Sequence, residues 1–233
     1  MFKQDLTNAY KSWDLFKHKE AFELLRKLSI EKDKISKNKG FIGKITYMIE
    51  EEKFEEKTKL LLIDLINNAE RRIKEGKYDD AVARLYRAFE LIAQIKLLEL
   101  GLIDEIRLKD NKIFAILLEK LKEKTSNDIV EKYKEYQKPD DTNNGVIKIA
   151  LKKDYELLSD LKEELGNVYK ELEDKKSKIS KLLKNRNNSI LAHGLEPVEK
   201  QTAEELFEEV KKYSKILIPN IEEKLKQAEF PKI

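Results

Sequence analysis

Arg186 and His193 are the two side chains best equipped to do chemistry together. They lie within RNNSILAHG, with Asn187, Asn188 and Ser189 following the arginine and Gly194 following the histidine. His193 is one of only two histidines in 233 residues. An imidazole with an ordinary pKa of about 6.5 can take or give a proton near neutrality. A guanidinium keeps its charge and forks onto two phosphate oxygens. The amides and hydroxyl between them can orient either group. Such a set suits a phosphate site with a proton-transfer group, and cleaving RNA without a metal needs little more. The ribose 2′-hydroxyl attacks the adjacent phosphorus, leaving a 2′,3′-cyclic phosphate and a 5′-hydroxyl. The competing reading is structural: a packed histidine holding a loop and an arginine pairing at a helix end. The apolar triplet Ile190, Leu191 and Ala192 suits packing as well as it suits anchoring a site.

The backbone between the two residues has two options. If it stays helical, seven positions make nearly two turns, and the side chains share a face about 10 Å apart along the axis. If Asn187 and Asn188 break the helix, Asn188 or Ser189 caps a new short turn and turns polar groups into the same pocket. Paired asparagines are poor inside a helix, which favours the break.

The elements that must position this stretch read as helices, since only seven glycines and four prolines punctuate the chain. Residues 4 to 29 read as two short helices broken near Phe16-Lys17-His18, with Trp13, Phe16, Phe22, Leu25 and Leu28 as apolar contacts. The pair looks like one tetratricopeptide-style hairpin. His18, among Lys17, Lys19 and Glu20, reads as a solvated turn residue. Residues 31 to 54 read as a charged connector helix interrupted around Gly40 and Gly43. Leu62, Ile66, Ala69 and Ile73 are spaced 4, 3, 4, an amphipathic helix closed by Gly76. The next helix buries Val82, Leu85, Phe89, Ile92 and Ile95, with Asp79 as its cap and Gly101 as its end. On another face Arg84, Arg87 and Glu90 form a surface ion-pair ladder or, alternatively, bring an arginine to RNA.

Residues 102 to 110 read as a connector, followed by helices near 112–123 and 126–137 and a loop over 138–145. Val146 to Leu151 could be a strand but shows no partner, so no sheet is expected. A helix with Leu157, Leu161 and Leu165 inward closes at Gly166. Another, with Val168, Leu172, Ile179 and Leu182 inward, delivers the chain to Arg186. Thr202 with Glu205 reads as a capping box. Leu206, Val210, Tyr213 and Leu217 mark the last long helix, which Pro219 kinks or ends. Ile221 and Leu225 continue a helical tail. The fold class expected is all-α: a helical bundle over residues 55–233, preceded over residues 1–54 by a helical hairpin and charged connector.

Composition narrows the chemistry. Charged residues make up 40% and cysteine is absent, a thermophile-like balance in which ion pairs carry weight. Without cysteine there is no disulfide, thiolate catalysis or cysteine metal site. Two distant histidines argue against a histidine zinc site, so no metal and no cofactor is expected. A net charge of +3 means that RNA would be gripped by a local patch rather than by the whole surface. No stretch has a signal-peptide core or the roughly 18 apolar residues of a membrane span. A soluble, cytoplasmic protein is the expectation.

Arg186, six residues, then His193, with polar Asn187 after the arginine, resembles the signature of HEPN-domain ribonucleases. The segments KYDDAVARLYRAFELIAQIKL and IALKKDYELLSDLKEELG, in that order before the motif, resemble the HEPN half of the ancillary ribonucleases of type III CRISPR systems. The resemblance spans roughly residues 55 to 230. It implies a metal-independent endoribonuclease acting on single-stranded RNA in antiviral defence. Arg186 would clamp phosphate, His193 would be the acid/base group, and Asn187 would orient them. Asn188, Ser189, Arg84 and Arg87 would be secondary RNA contacts. It also implies a homodimer whose two motifs meet in one composite site. In the CRISPR relatives a separate sensor domain binds cyclic oligoadenylate. This chain shows no alternation of strands and helices for such a domain, so nucleotide activation would reach it only through a sensor the chain lacks. Two other outcomes are compatible with the same residues: a non-catalytic HEPN scaffold that binds RNA or a partner, and a HEPN toxin held by a small antitoxin.

Overall fold

The structure, a computed structural model, describes residues 2–28, 33–48, 54–108, 111–138, 145–174, 180–184 and 196–231. Its spine is a hairpin of two long helices, α4 (Phe54–Lys74) and α5 (Tyr78–Glu99). The stripe expected from their spacing is buried apart from Ile73, which is partly exposed: Leu62, Ile66, Ala69, Val82, Leu85, Phe89, Ile92 and Ile95 are all fully inaccessible. Gly76 and Gly101 close the two helices at φ of +74° and +66°. In each case the glycine N–H and the next N–H fold back onto the last turn, the αL ending that glycine adopts without steric cost.

Around this hairpin the expected helical bundle assembles. Helices α8 (Leu151–Asp160) and α10 (Lys200–Leu217) pack on α5, and α10 also reaches α4. Helix α9 (Gly166–Glu173) packs back on α8. Helix α11 (Ile221–Ala228) follows the break at Ile218–Asn220 that Pro219 enforces, and it packs on α4.

The N-terminal elements do not hang free. Helices α1 (Phe2–Asp14), α2 (His18–Lys27) and α3 (Asp33–Tyr47) fold over α4 and α11. Trp13 is fully buried at their centre, stacked with Phe41 at 5.9 Å between ring centroids and tilted against Phe230 at 4.9 Å. Polar anchors cross the same boundary. Tyr10 donates to Asn38 Oδ1 (2.8 Å), and the Asn38 amide donates to the carbonyls of Gln227 and Glu229.

Several expectations need correction. Helix α3 runs unbroken through Gly40 and Gly43, because Ile35, Phe41, Ile42 and Ile45 give it a continuous buried stripe. The stretch expected as a connector plus a helix near 112–123 is a β-hairpin, β1 (Ile103–Leu108) and β2 (Asn111–Leu117), running directly into α6 (Leu118–Lys124). Helix α7 (Asn127–Lys134) ends sooner than the expected 137, and the chain turns into β3 (Gln137–Lys138). Val146-Ile147 does have partners: as β4 it pairs antiparallel with β2 and β3, giving the order β1-β2-β4-β3. This small sheet sits beside a fold that is otherwise helical. Helix α8 ends at Asp160, and Gly166 opens α9 rather than closing α8. A Cβ at Gly166 would lie 2.4 Å from the Ser159 backbone, so only glycine lets the two helices approach this closely. Helix α9 stops at Asp174 instead of continuing to the motif, although residues 180–184 are again helical. Leu172 and Ile179, expected inward, are not among the side chains described.

Candidate active site

The segment that holds Arg186, Asn187, Asn188, Ser189 and His193 lies outside the described residues. Its two flanks are described, and both are tied to the core. On the entry side Leu182 and Leu183 are buried. On the exit side Val198 is buried, and its N–H donates to Asp79 Oδ2 on the first turn of α5 (3.3 Å). Helix α10 starts two residues later and locks onto α5. The expected capping box does not form there: Glu199 is the N-cap residue, and Thr202 lies inside the helix.

Asp79 is likewise not a cap. Lys77 holds the N-cap position without a side-chain bond, and Asp79 sits within the first turn. There its charge complements the helix dipole. One oxygen fastens the motif's exit, while the other, Oδ1, is buried without a hydrogen-bond partner among the described residues. Sequence reading missed this role because Val198 is 119 positions away.

Arg84 and Arg87 are held by the protein itself. Arg84 donates to Asn68 on α4 and pairs with Asp80 one turn back. Arg87 donates to Glu90 Oε2 (2.7 Å) and Gln94 Oε1 (2.8 Å). Beneath that pair lies Asp154 of α8, 2% exposed, with Oδ2 lacking a partner. Burial, reinforced by the nearby Glu90 carboxylate, pushes its pKa up to about 8, against the opposing pull of Arg87 and a hydrogen bond with Gln94. The neighbouring Tyr155 is fully buried and donates to the Phe89 carbonyl (2.9 Å).

Residues 50–217 match the family described as the Csm6 HEPN domain. The chain belongs to this family. It is a HEPN domain related to the ancillary ribonucleases of type III CRISPR systems. A search of curated proteins returned no match. The HEPN match takes in the α4–α5 hairpin, the sheet, α8 to α10 and the whole Arg186–His193 stretch. It leaves out α1 to α3 and α11, so the Trp13-centred layer is an addition around the HEPN bundle.

That addition holds the second histidine, and here the sequence reading was wrong. His18 opens α2 with its side chain 13% exposed, and Nε2 lies 2.7 Å from Oδ2 of the fully buried Asp64. The carboxylate partner assigns the hydrogen to Nε2. Trp13 Nε1 donates to the other oxygen of Asp64 (2.8 Å). Local context misled, because charged neighbours at 17, 19 and 20 say nothing of a carboxylate 46 positions away. Among the described residues no helix is long and apolar enough to cross a membrane, and no group of three or more His, Asp or Glu could hold a metal ion.

Proposed function

We propose that this HEPN domain is a metal-independent endoribonuclease that cleaves single-stranded RNA by 2′-hydroxyl attack, in a CRISPR antiviral setting. The observation that carries the reading is the family match over residues 50–217, with Arg186 and His193 inside it at the expected spacing. Arg186 holds the phosphate charge as a forked donor. His193 moves the proton at the 2′-hydroxyl or the 5′-leaving oxygen. Asn187 orients them, and Asn188 and Ser189 contact the strand. The reaction balances without a metal: the new P–O2′ bond replaces the P–O5′ bond, and one proton passes from O2′ to O5′. Two copies of the chain bring their motifs together in one composite site. Residues 55–233 form the catalytic unit in this reading, and residues 1–54 its attachment. The pinned flanks support it, since a site must be held on rigid elements to position its groups.

The test is cleavage of single-stranded RNA by the whole chain in EDTA. His193→Ala is expected to lose roughly 10²- to 10⁴-fold in rate. Arg186→Ala is expected to lose about 10²- to 10³-fold. Undiminished cleavage by the His193→Ala protein would overturn the assignment.

A further inference from the structure

The junction of α1 and α2 has features that the catalytic reading leaves unused. Among the described residues four helices end with the same backward pair of backbone hydrogen bonds, which requires a residue at positive φ. For α4 and α5 that residue is Gly76 and Gly101, for α8 it is Lys162, and for α1 it is Phe16 at φ 58°. A bulky residue in this conformation is an outlier that costs about 1–3 kcal/mol. The strained residue is also an exposed aromatic, with 36% of its surface accessible and its ring edge-on to His18 at 5.9 Å. Such strain persists only where the surroundings impose it, and here they hold a ring toward solvent.

Phe16 borders an open cavity of about 650 Å³, also lined by Lys17, His18, Lys19, Ile45 and Lys57. The acids at its rim are already engaged. Glu20 accepts from Ser12 Oγ and pairs with Lys17, and Glu23 pairs with Arg26. Lys19 and Lys57 have no partner among the described residues. His18 cannot swing away, since Asp64 holds it. Among the described residues the cavity therefore offers one fixed aromatic face and two cations without an ion-pair partner, beside the two engaged acids.

We infer that this cavity is a docking site for single-stranded RNA, with a base stacked on Phe16 and neighbouring phosphates taken by Lys19 and Lys57. The inference rests on RNA being the ligand of the chain, and it places Phe16 and Lys19 in the layer that the HEPN match does not cover, with Lys57 on α4 inside the match. Stacking on a fixed ring with a basic groove beside it is the usual way to hold a strand without reading its sequence.

The experiment measures the affinity of a labelled single-stranded RNA for the full chain across a salt series, alongside its cleavage. Phe16→Gly is expected to bind roughly 5- to 150-fold more weakly, the range that one stacked base supplies. The same variant should keep or raise its Tm, because glycine relieves the positive φ; a purely structural Phe16 would lower it. Lys19→Ala with Lys57→Ala should flatten the slope of log K against log salt by about 1.4, or 0.7 per lost phosphate contact. Unchanged affinity and slope in both variants, with the RNA still bound and cut, would overturn the docking site and leave the ribonuclease reading standing. RNA bound through Phe16 but never cut would uphold the docking site and sink the catalytic reading. Binding of an acidic peptide, but not RNA, in a Phe16-dependent way would make the cavity a protein-docking site and overturn the inference.

Discussion

Two buried carboxylates, Asp64 on α4 and Asp154 on α8, meet opposite fates. Asp64 is fully inaccessible and receives a donor on each oxygen, from Trp13 and from His18. Next to it Asp14 accepts from Arg71, Arg72 and Asn68, and donors are in surplus: Arg71 Nη2 and Arg72 Nε are buried without acceptors among the described residues. Around Asp154 the balance is reversed. It lies near Glu90, its Oδ2 has no donor, and Arg87 is shared with Glu90 and Gln94. A buried carboxylate that meets its donors becomes a strut, while one that lacks them raises its proton affinity instead. The first arrangement clamps the added N-terminal layer onto the HEPN bundle. The second leaves a pH-sensitive point at the α5–α8 contact inside it.

The contrast breaks most visibly at Asp64. Asp64→Ala leaves the fully buried Trp13 indole N–H without its acceptor and takes the carboxylate from the largely buried His18, so a loss of about 3–5 kcal/mol is expected in denaturant unfolding. A loss under about 1 kcal/mol would mean that the strut carries no load.

Asp154 sharpens the comparison with the opposite sign. Its folded pKa, about 8, lies above the ordinary carboxylate value, so the folded state binds the proton that the unfolded chain releases. Stability is then full below about pH 4 and falls as pH rises toward 8. Asp154→Asn should remove that slope and stabilise the protein at pH 8 by an amount on the order of a few kcal/mol. Thermal unfolding of the two proteins at pH 5 and pH 8 checks it; parallel pH profiles would contradict the assignment.

Smaller effects follow at the HEPN surface. Asp79→Ala frees the backbone at Val198, with an expected cost of about 1 kcal/mol and a several-fold fall in RNA cleavage. Equal rates in mutant and parent would show that the exit of the motif needs no tether. Arg87→Ala removes a half-exposed pair and should cost only about 0.5 kcal/mol while moving the pH slope of Asp154 further upward. A loss of RNA affinity in that variant would place Arg87 on the RNA.

The α4–α5 hairpin was legible because its signals are local. Leu62, Ile66 and Ala69 repeat at helical spacing, and glycine follows each helix where an αL residue is needed. The sheet was not, because IDEIRL and NKIFAIL show no clean alternation and each strand is defined by pairing with the other. Val146-Ile147 is too short to announce itself, and one of its partners was read as helix. The ends of α8 and α9 were hidden for a similar reason: the close approach at Gly166 depends on Ser159 folding back against it. His18 and Asp79 were misread because their partners, Asp64 and Val198, are remote in sequence. Arg186 and His193 stood out through residue type and spacing, which is information about chemistry rather than about placement.

The most direct measurement of the central claim is the end chemistry of the RNA products. Wild-type protein incubated with single-stranded RNA in EDTA is expected to leave 2′,3′-cyclic phosphate and 5′-hydroxyl ends, and the His193→Ala protein to leave the strand intact. Products with 3′-hydroxyl and 5′-phosphate ends, formed only when Mg²⁺ is added, would contradict the account.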